Sequence, residues 1–134
     1  MNARDLSAAD FLKSLPDEIG DAITCLAEAE LEAGRLDTAR ALLEGLVVAS
    51  HDAPSAWALL SRTHRRLGQP LAARFCAEVA ARLAPEDPEV RLVRAEAQLA
   101  LPAERAEGVR ALGPLAGEGA VGTRARALLT ALGE

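Results

Sequence analysis

A 34-residue register constrains this chain more than any other feature. Residues 54 to 87, PSAWALLSRTHRRLGQPLAARFCAEVAARLAPED, contain two apolar-periodic segments on either side of Leu67-Gly68-Gln69, each opened by a proline, Pro54 and Pro70. Proline suits the first turn of a helix, where its missing N–H has no intrahelical acceptor anyway. Glycine supplies the left-handed conformation that ends one. The stretch therefore reads as helix, turn, helix. Shifting by 34 places Ile23 on Trp57, Leu26 on Leu60, Ala27 on Ser61, Gly34 on Gly68, Ala39 on Ala73 and Leu46 on Ala80. Small residues recur where paired helices cross closely, and glycine recurs at the turn. Such units stack, each covering the apolar face of the next.

The rest of the chain can be measured against that unit. Residues 20–53 form the first unit, its opening helix starting near Pro16 and closing at Gly34, its partner running from about Asp37 to Ala49 with Ala39, Leu42, Leu43, Leu46 and Val47 as the apolar stripe. A third unit, 88–117, starts at Asp87-Pro88-Glu89, which supplies an N-cap oxygen, a first-turn proline and a first-turn carboxylate facing the helix dipole. It then drifts from the pattern. Arg94 falls where Leu26 and Leu60 lie, Pro102 replaces the turn glycine, and Ala106 rather than Glu107 best matches Ala39 and Ala73, so that its second helix, Ala103 to Leu112, reads as one residue short. Residues 1–19, with Ser7 ahead of Phe11, Leu12 and Leu15, suit an N-terminal cap helix. Residues 118–134 suit a C-terminal one.

Composition excludes several functions. Half of the residues are hydrophobic but only 2% aromatic, as suits closely packed helices with small side chains. Twenty acidic against 15 basic residues give a net charge of -5, which offers no field to hold phosphate backbones, so nucleic acid is not an expected partner. Neither a signal-like N-terminus nor an apolar run of membrane-spanning length is evident, and the chain reads as cytoplasmic, without a membrane partner. Cys25 and Cys76 lack C-x-x-C spacing and read as buried free thiols. His51 reads as a loop residue and His64 as a half-buried packing residue. No metal-ligand spacing, phosphate-cradling glycine loop or G-x-S-x-G elbow is present. No catalytic residue, metal or cofactor is expected, and the chain does not read as an enzyme.

The spacing Trp57-x2-Leu60-Ser61-x2-His64, then Ala73-x3-Ala77, then Pro85, resembles the tetratricopeptide repeat, W-x2-L-G-x2-Y…A-x3-F…P, with its aromatic slots downgraded. The resemblance implies an all-α fold: three tandem repeats, the third degenerate, between terminal cap helices in a right-handed α-solenoid. It also implies a protein-interaction scaffold. The run from Glu44 to Leu101, with its His-Asp connector, Leu-Gly turn and Asp-Pro-Glu unit start, is similar to the small acidic chaperones of bacterial type III secretion, the class II-like group. That similarity implies a groove holding an extended segment of a translocator or needle protein until export. Other tetratricopeptide proteins clamp a C-terminal carboxylate with Lys and Asn; here Thr24, Glu28, Ala58 and Arg62 stand at the comparable sites, and Glu28 would repel it.

In stacked helix pairs the first helices line a concave face, and residues 34 apart form rows across it. One row is Thr24, Ala58 and Leu92; a second is Glu28, Arg62 and Glu96; a third is Leu31, Arg65 and Leu99, with Arg66 beside it. Two readings of the charged row stand. Its members pair across the stack, or Arg62, Arg65 and Arg66 orient an acidic or carbonyl-rich peptide while Leu31, Leu92 and Leu99 take its apolar anchors. At the level of function the alternatives are a module binding a peptide or helix of a partner protein in the groove, and a structural adaptor of a larger complex using its convex face or terminal helices. A homodimer or hetero-oligomer is compatible with both.

Overall fold

The computed structural model describes residues 16–134. These form seven α-helices: α1 (Asp17–Glu32), α2 (Leu36–Ala49), α3 (Pro54–Arg66), α4 (Pro70–Leu83), α5 (Pro88–Leu99), α6 (Arg105–Leu112) and α7 (Gly119–Ala131). Short 3₁₀ turns, Pro102–Glu104 and Gly113–Leu115, flank α6. No strand occurs among the described residues, and no helix among them is long and apolar enough to cross a membrane. Most of the segment expected to form the N-terminal cap, residues 1–15, lies outside the described part.

The turn chemistry repeats as the register expects. After α1, Gly34 takes φ +81° while its N–H donates to Leu31 O and that of Arg35 to Glu30 O; after α3, Gly68 takes φ +75° while its N–H donates to Arg65 O and that of Gln69 to His64 O. Both are left-handed glycine caps that satisfy the last carbonyls of the helix. The same arrangement closes α7, where Gly133 takes φ +80° and the N–H groups of Gly133 and Glu134 reach Thr130 O and Leu129 O. At the start of α5, Asp87 Oδ1 accepts the Glu89 N–H at 2.9 Å, as its N-cap position requires.

Each helix packs on the next, and the first helices of successive pairs are neighbours: α1 beside α3, α3 beside α5, α5 beside α7. The core is a chain of three clusters. Ala27, Leu31, Leu43, Leu46 and Cys76 centre the first; Ala77, Ala80, Val90 and Val93 the second; Leu92, Ala95, Leu112 and Ala125 the third. Trp57 packs against both of the first two, donates Nε1–H to His51 O at 2.8 Å and meets Phe75 edge-on, with ring centroids 6.3 Å apart. The small residues of the pattern sit at helix crossings. Ala27, Ala39, Ala73 and Ala95 are fully buried, and Ser61 Oγ donates to Ala73 O at 2.7 Å.

Two expectations change. Cys25 is exposed, on the side of α1 away from the core, while Cys76 is buried and its thiol is pushed up to about 11 by desolvation, with Glu44 adding to the shift. In the third unit, neither Ala106 nor Glu107 occupies the crossing; both are exposed, and Gly108 is buried there instead. A Cβ on Gly108 would lie 2.9 Å from Ala95 O. The 3₁₀ turn that stands where Gly34 and Gly68 make a left-handed turn feeds the chain into α6 in a different phase, so the 34-residue register ends there.

Candidate functional site

The inner face is built from α1, α3, α5 and α7. Two adjoining cavities lie along it. The smaller, 140 Å³, has Ala58, Leu59 and Val90 among its lining, together with Thr24, Glu28, Ser55, Arg62, Asp87 and Glu89. The larger, 340 Å³, is lined by Arg62, Arg65, Glu89, Leu92, Glu96, Ala120, Val121 and Arg124. Arg62 and Glu89 belong to both and mark the junction. The small residues of α3 make the surface concave, because Ala58 sits where a larger side chain would fill the smaller cavity.

The structure brings most of the expected residues to this face. Thr24, Glu28, Ala58 and Arg62 line the smaller cavity together, and Arg62, Arg65, Leu92 and Glu96 line the larger. Leu31 and Leu92, expected to seat apolar anchors, are only 5% and 2% exposed and belong to the core clusters. Leu99 is half-buried and packs with the cluster between α5, α6 and α7. These leucines form part of the wall of the face, as do Ala58 and Val90, which are 6% and 2% exposed. An inward-facing position of a first helix in a short solenoid also faces the neighbouring pair, and a long aliphatic side chain is drawn into that junction.

Of the two readings of the charged row, pairing within the stack is what the side chains display. Arg62 pairs with Glu89 at 3.4 Å, and Glu96 is bridged by Arg65 at 2.7 Å and Arg124 at 3.5 Å. The pairings are offset from the 34-residue rows. Structurally equivalent positions need not touch, since helical side chains point back toward their N-termini and long arginines reach across turns. Glu28 shares the smaller cavity with Arg62 without pairing with it. Arg66 Nη1 donates to Leu31 O, tying α3 to the end of α1. The three arginines are thus engaged within the stack. Glu96, with 4% of its side chain exposed, is bracketed by two guanidinium groups that stay partly solvated.

His64 Nδ1 lies 2.6 Å from Gln69 Oε1, His51 contributes only its backbone carbonyl to Trp57, and no metal-binding cluster occurs among the described residues. Residues on the face that the register did not identify are Ser55, Leu59, Asp87, Glu89 and Val90, and on α7 Ala120, Val121 and Arg124. Asp87 and Glu89 were legible only as helix-start residues. For α7 a signal existed: Leu132-Gly133 repeats Leu67-Gly68, which marks α7 as one more first-type helix.

No protein-family model matches this sequence, and no curated protein sequence matches it. Its fold matches solved structures along nearly its full length. The type III secretion translocator chaperone SycD of Yersinia enterocolitica superimposes with a TM-score of 0.75 at 20% identity, covering 94% of this chain and 98% of that one. PcrH of Pseudomonas aeruginosa, in complex with the chaperone-binding region of PopD, gives 0.74 at 21% identity over 90% and 95% of the two chains. SycD in complex with a peptide of the translocator YopD gives 0.70 at 21% over 89% and 95%. The chain therefore has the tetratricopeptide-like all-α fold of the translocator chaperones.

Proposed function

We propose that this protein is a non-catalytic cytoplasmic binding module that holds an extended segment of a partner protein against its inner face, as a secretion chaperone does. The observation that carries this reading is the pair of adjoining cavities running across α1, α3, α5 and α7, with a floor of small and aliphatic residues and polar groups along its rim. The likeness to SycD and PcrH supports it, since both have been solved with a translocator segment bound. In this reading the contact residues are Thr24, Glu28, Ala58 and Arg62 at one cavity and Arg62, Arg65 and Glu96 at the other, with Leu31, Leu92, Leu99 and Arg66 as their supports. The units are residues 20–53, 54–87 and 88–117, closed by 118–134.

The test fills the smaller cavity. Ala58→Leu adds an aliphatic side chain where 140 Å³ is open and needs no polar partner. Fluorescence anisotropy with peptides tiled across exported proteins of the host should find a binding segment, and Ala58→Leu should weaken it at least tenfold; because Ala58 is 6% exposed and packs in the second core cluster, far-ultraviolet circular dichroism of the variant checks that the helices are retained. Undiminished binding in the variant rejects the groove.

A second reading, a structural adaptor, is favoured by one observation: Leu71 and Phe75, one turn apart on α4, are 74% and 65% exposed. An adaptor using that outer surface would keep its partner in Ala58→Leu, so the same experiment separates the two.

A further inference from the structure

The two ends of the inner face differ in charge. Around the smaller cavity stand Glu28, Asp87 and Glu89 with Arg62 as the single cation, and Arg62 is already engaged by Glu89. Among the described residues, Glu28 and Asp87 have no cation within ion-pair distance, and the Asp87 carboxylate is turned to the α5 N-terminus. The surroundings reinforce this sign, because α1 carries Asp17, Glu18, Asp21, Glu28, Glu30 and Glu32 and no basic residue. Around the larger cavity the balance reverses: Arg62, Arg65 and Arg124 face Glu89 and Glu96. Helix α7 contributes Arg124 and Arg126 and no acid, and α3 ends on Arg65-Arg66.

The geometry points to a bound segment with charge polarity. An extended peptide would place a Lys or Arg beside Glu28 and Asp87, and an Asp or Glu beside Arg65 and Arg124, with a small aliphatic side chain over Ala58 and Val90. This rests on the groove reading above and deepens it by naming the chemistry of the ligand. The spacing follows from the stack. The cavities are centred one first-helix step apart, about 10 Å for packed helices. An extended chain covers that distance in about three residues. The segment is therefore defined by opposite charges about three residues apart around an aliphatic anchor. A charged rim acts on orientation and on the choice of partner more than on total affinity. A segment bound in reverse would set its cation against Arg65 and Arg124 and its anion against Glu28.

The test is selection from a displayed library of nine-residue peptides with a fixed central leucine, carried out on the full chain and on Glu28→Gln, Arg124→Gln and Ala58→Leu. The expected result is enrichment of Lys or Arg at one position and of Asp or Glu about three positions away, in one order only. Glu28→Gln should erase the preference for the cation, and Arg124→Gln the preference for the anion. Resynthesised peptides should each lose about three- to fivefold in affinity when the matching charge is replaced by Gln, on the scale of exposed ion pairs. Enriched peptides lost in Ala58→Leu but showing no charge preference, or a preference unmoved by Glu28→Gln and Arg124→Gln, overturn the polarity while the groove stands. Failure to enrich any peptide over Ala58→Leu overturns both.

Discussion

The second and third helix pairs do the same job by different means. In the α3–α4 pair, Gly68 makes a left-handed cap, Pro70 starts the second helix, and Ser61 Oγ donates to Ala73 O where the helices cross. In the α5–α6 pair a 3₁₀ turn through Pro102 replaces the glycine, α6 has only 8 residues, and the crossing is made by Gly108 against the Ala95 backbone. The α3–α4 pair follows the repeat pattern and tolerates it being imperfect, since Ala27 and Ala95 stand where Ser61 donates its bond. The α5–α6 pair departs from the pattern and depends on closer contact. It is also braced from both sides, by α7 through Leu112 and Ala125 and by α4 through Arg74, whose Nε and Nη2 reach Glu104 at 2.9 and 3.1 Å.

That contrast is sharpest at the crossings. Gly108→Val places side-chain atoms against the Ala95 carbonyl and Leu99, and backbone there has no room to yield. Overpacking of this kind costs about 3 kcal/mol, the upper end of its usual range, and urea unfolding should show it as a lowered midpoint. Ser61→Ala removes one buried side-chain hydrogen bond from a position where alanine already serves the other two pairs. Its cost should be about 1 kcal/mol. A larger loss from Ser61→Ala than from Gly108→Val would reverse the ranking and show that the repeat-like pair holds the tighter crossing.

The same boundary separates what the sequence reveals from what it conceals. The first two pairs were legible because one physical device, a left-handed glycine after a helix and small residues at the crossing, recurs at constant spacing through Gly34 and Gly68, Ala39 and Ala73. The third crossing was hidden because Pro102 changes the phase by an irregular turn, which a fixed offset cannot follow. For the inner face, the offset found α1, α3 and α5 and the side of each that lines the cavities, so Thr24, Glu28, Ala58 and Arg62 came together. It could not find Arg124, which belongs to a helix outside the register, nor separate wall from surface at Leu31 and Leu92. Burial depends on what the neighbouring pair presents, and a single helix does not encode that. Cys25 illustrates the same limit: apolar neighbours in sequence did not turn it inward.

The smallest expected effect concerns the brace between the two pairs. Arg74 also bonds Glu78 at 2.7 Å, and Arg94 bonds Glu78 at 3.0 Å, so Arg74, Glu78, Glu104 and Arg94 form one network joining α4 to α5 and the Pro102 turn. The Arg74 hydrogen bond holds both the Glu78 and the Glu104 carboxyl below the ordinary value near 4.5, against a smaller opposing effect of desolvation. A carboxylate whose folded value is depressed contributes stability that is present above its unfolded value and lost as pH falls through the folded one. Arg74→Met keeps the aliphatic stem and removes the charge. At pH 7 it should lower Tm by a few degrees, about 4 °C or less, because the network is partly solvated. The gap from the unsubstituted protein should narrow as pH drops below about 4.5 and close once both carboxyls are protonated. Thermal melts across that range decide the point. A gap that persists unchanged at low pH would mean that Arg74 braces the third pair by packing alone, and that the departure from the repeat pattern is compensated by contact rather than by charge.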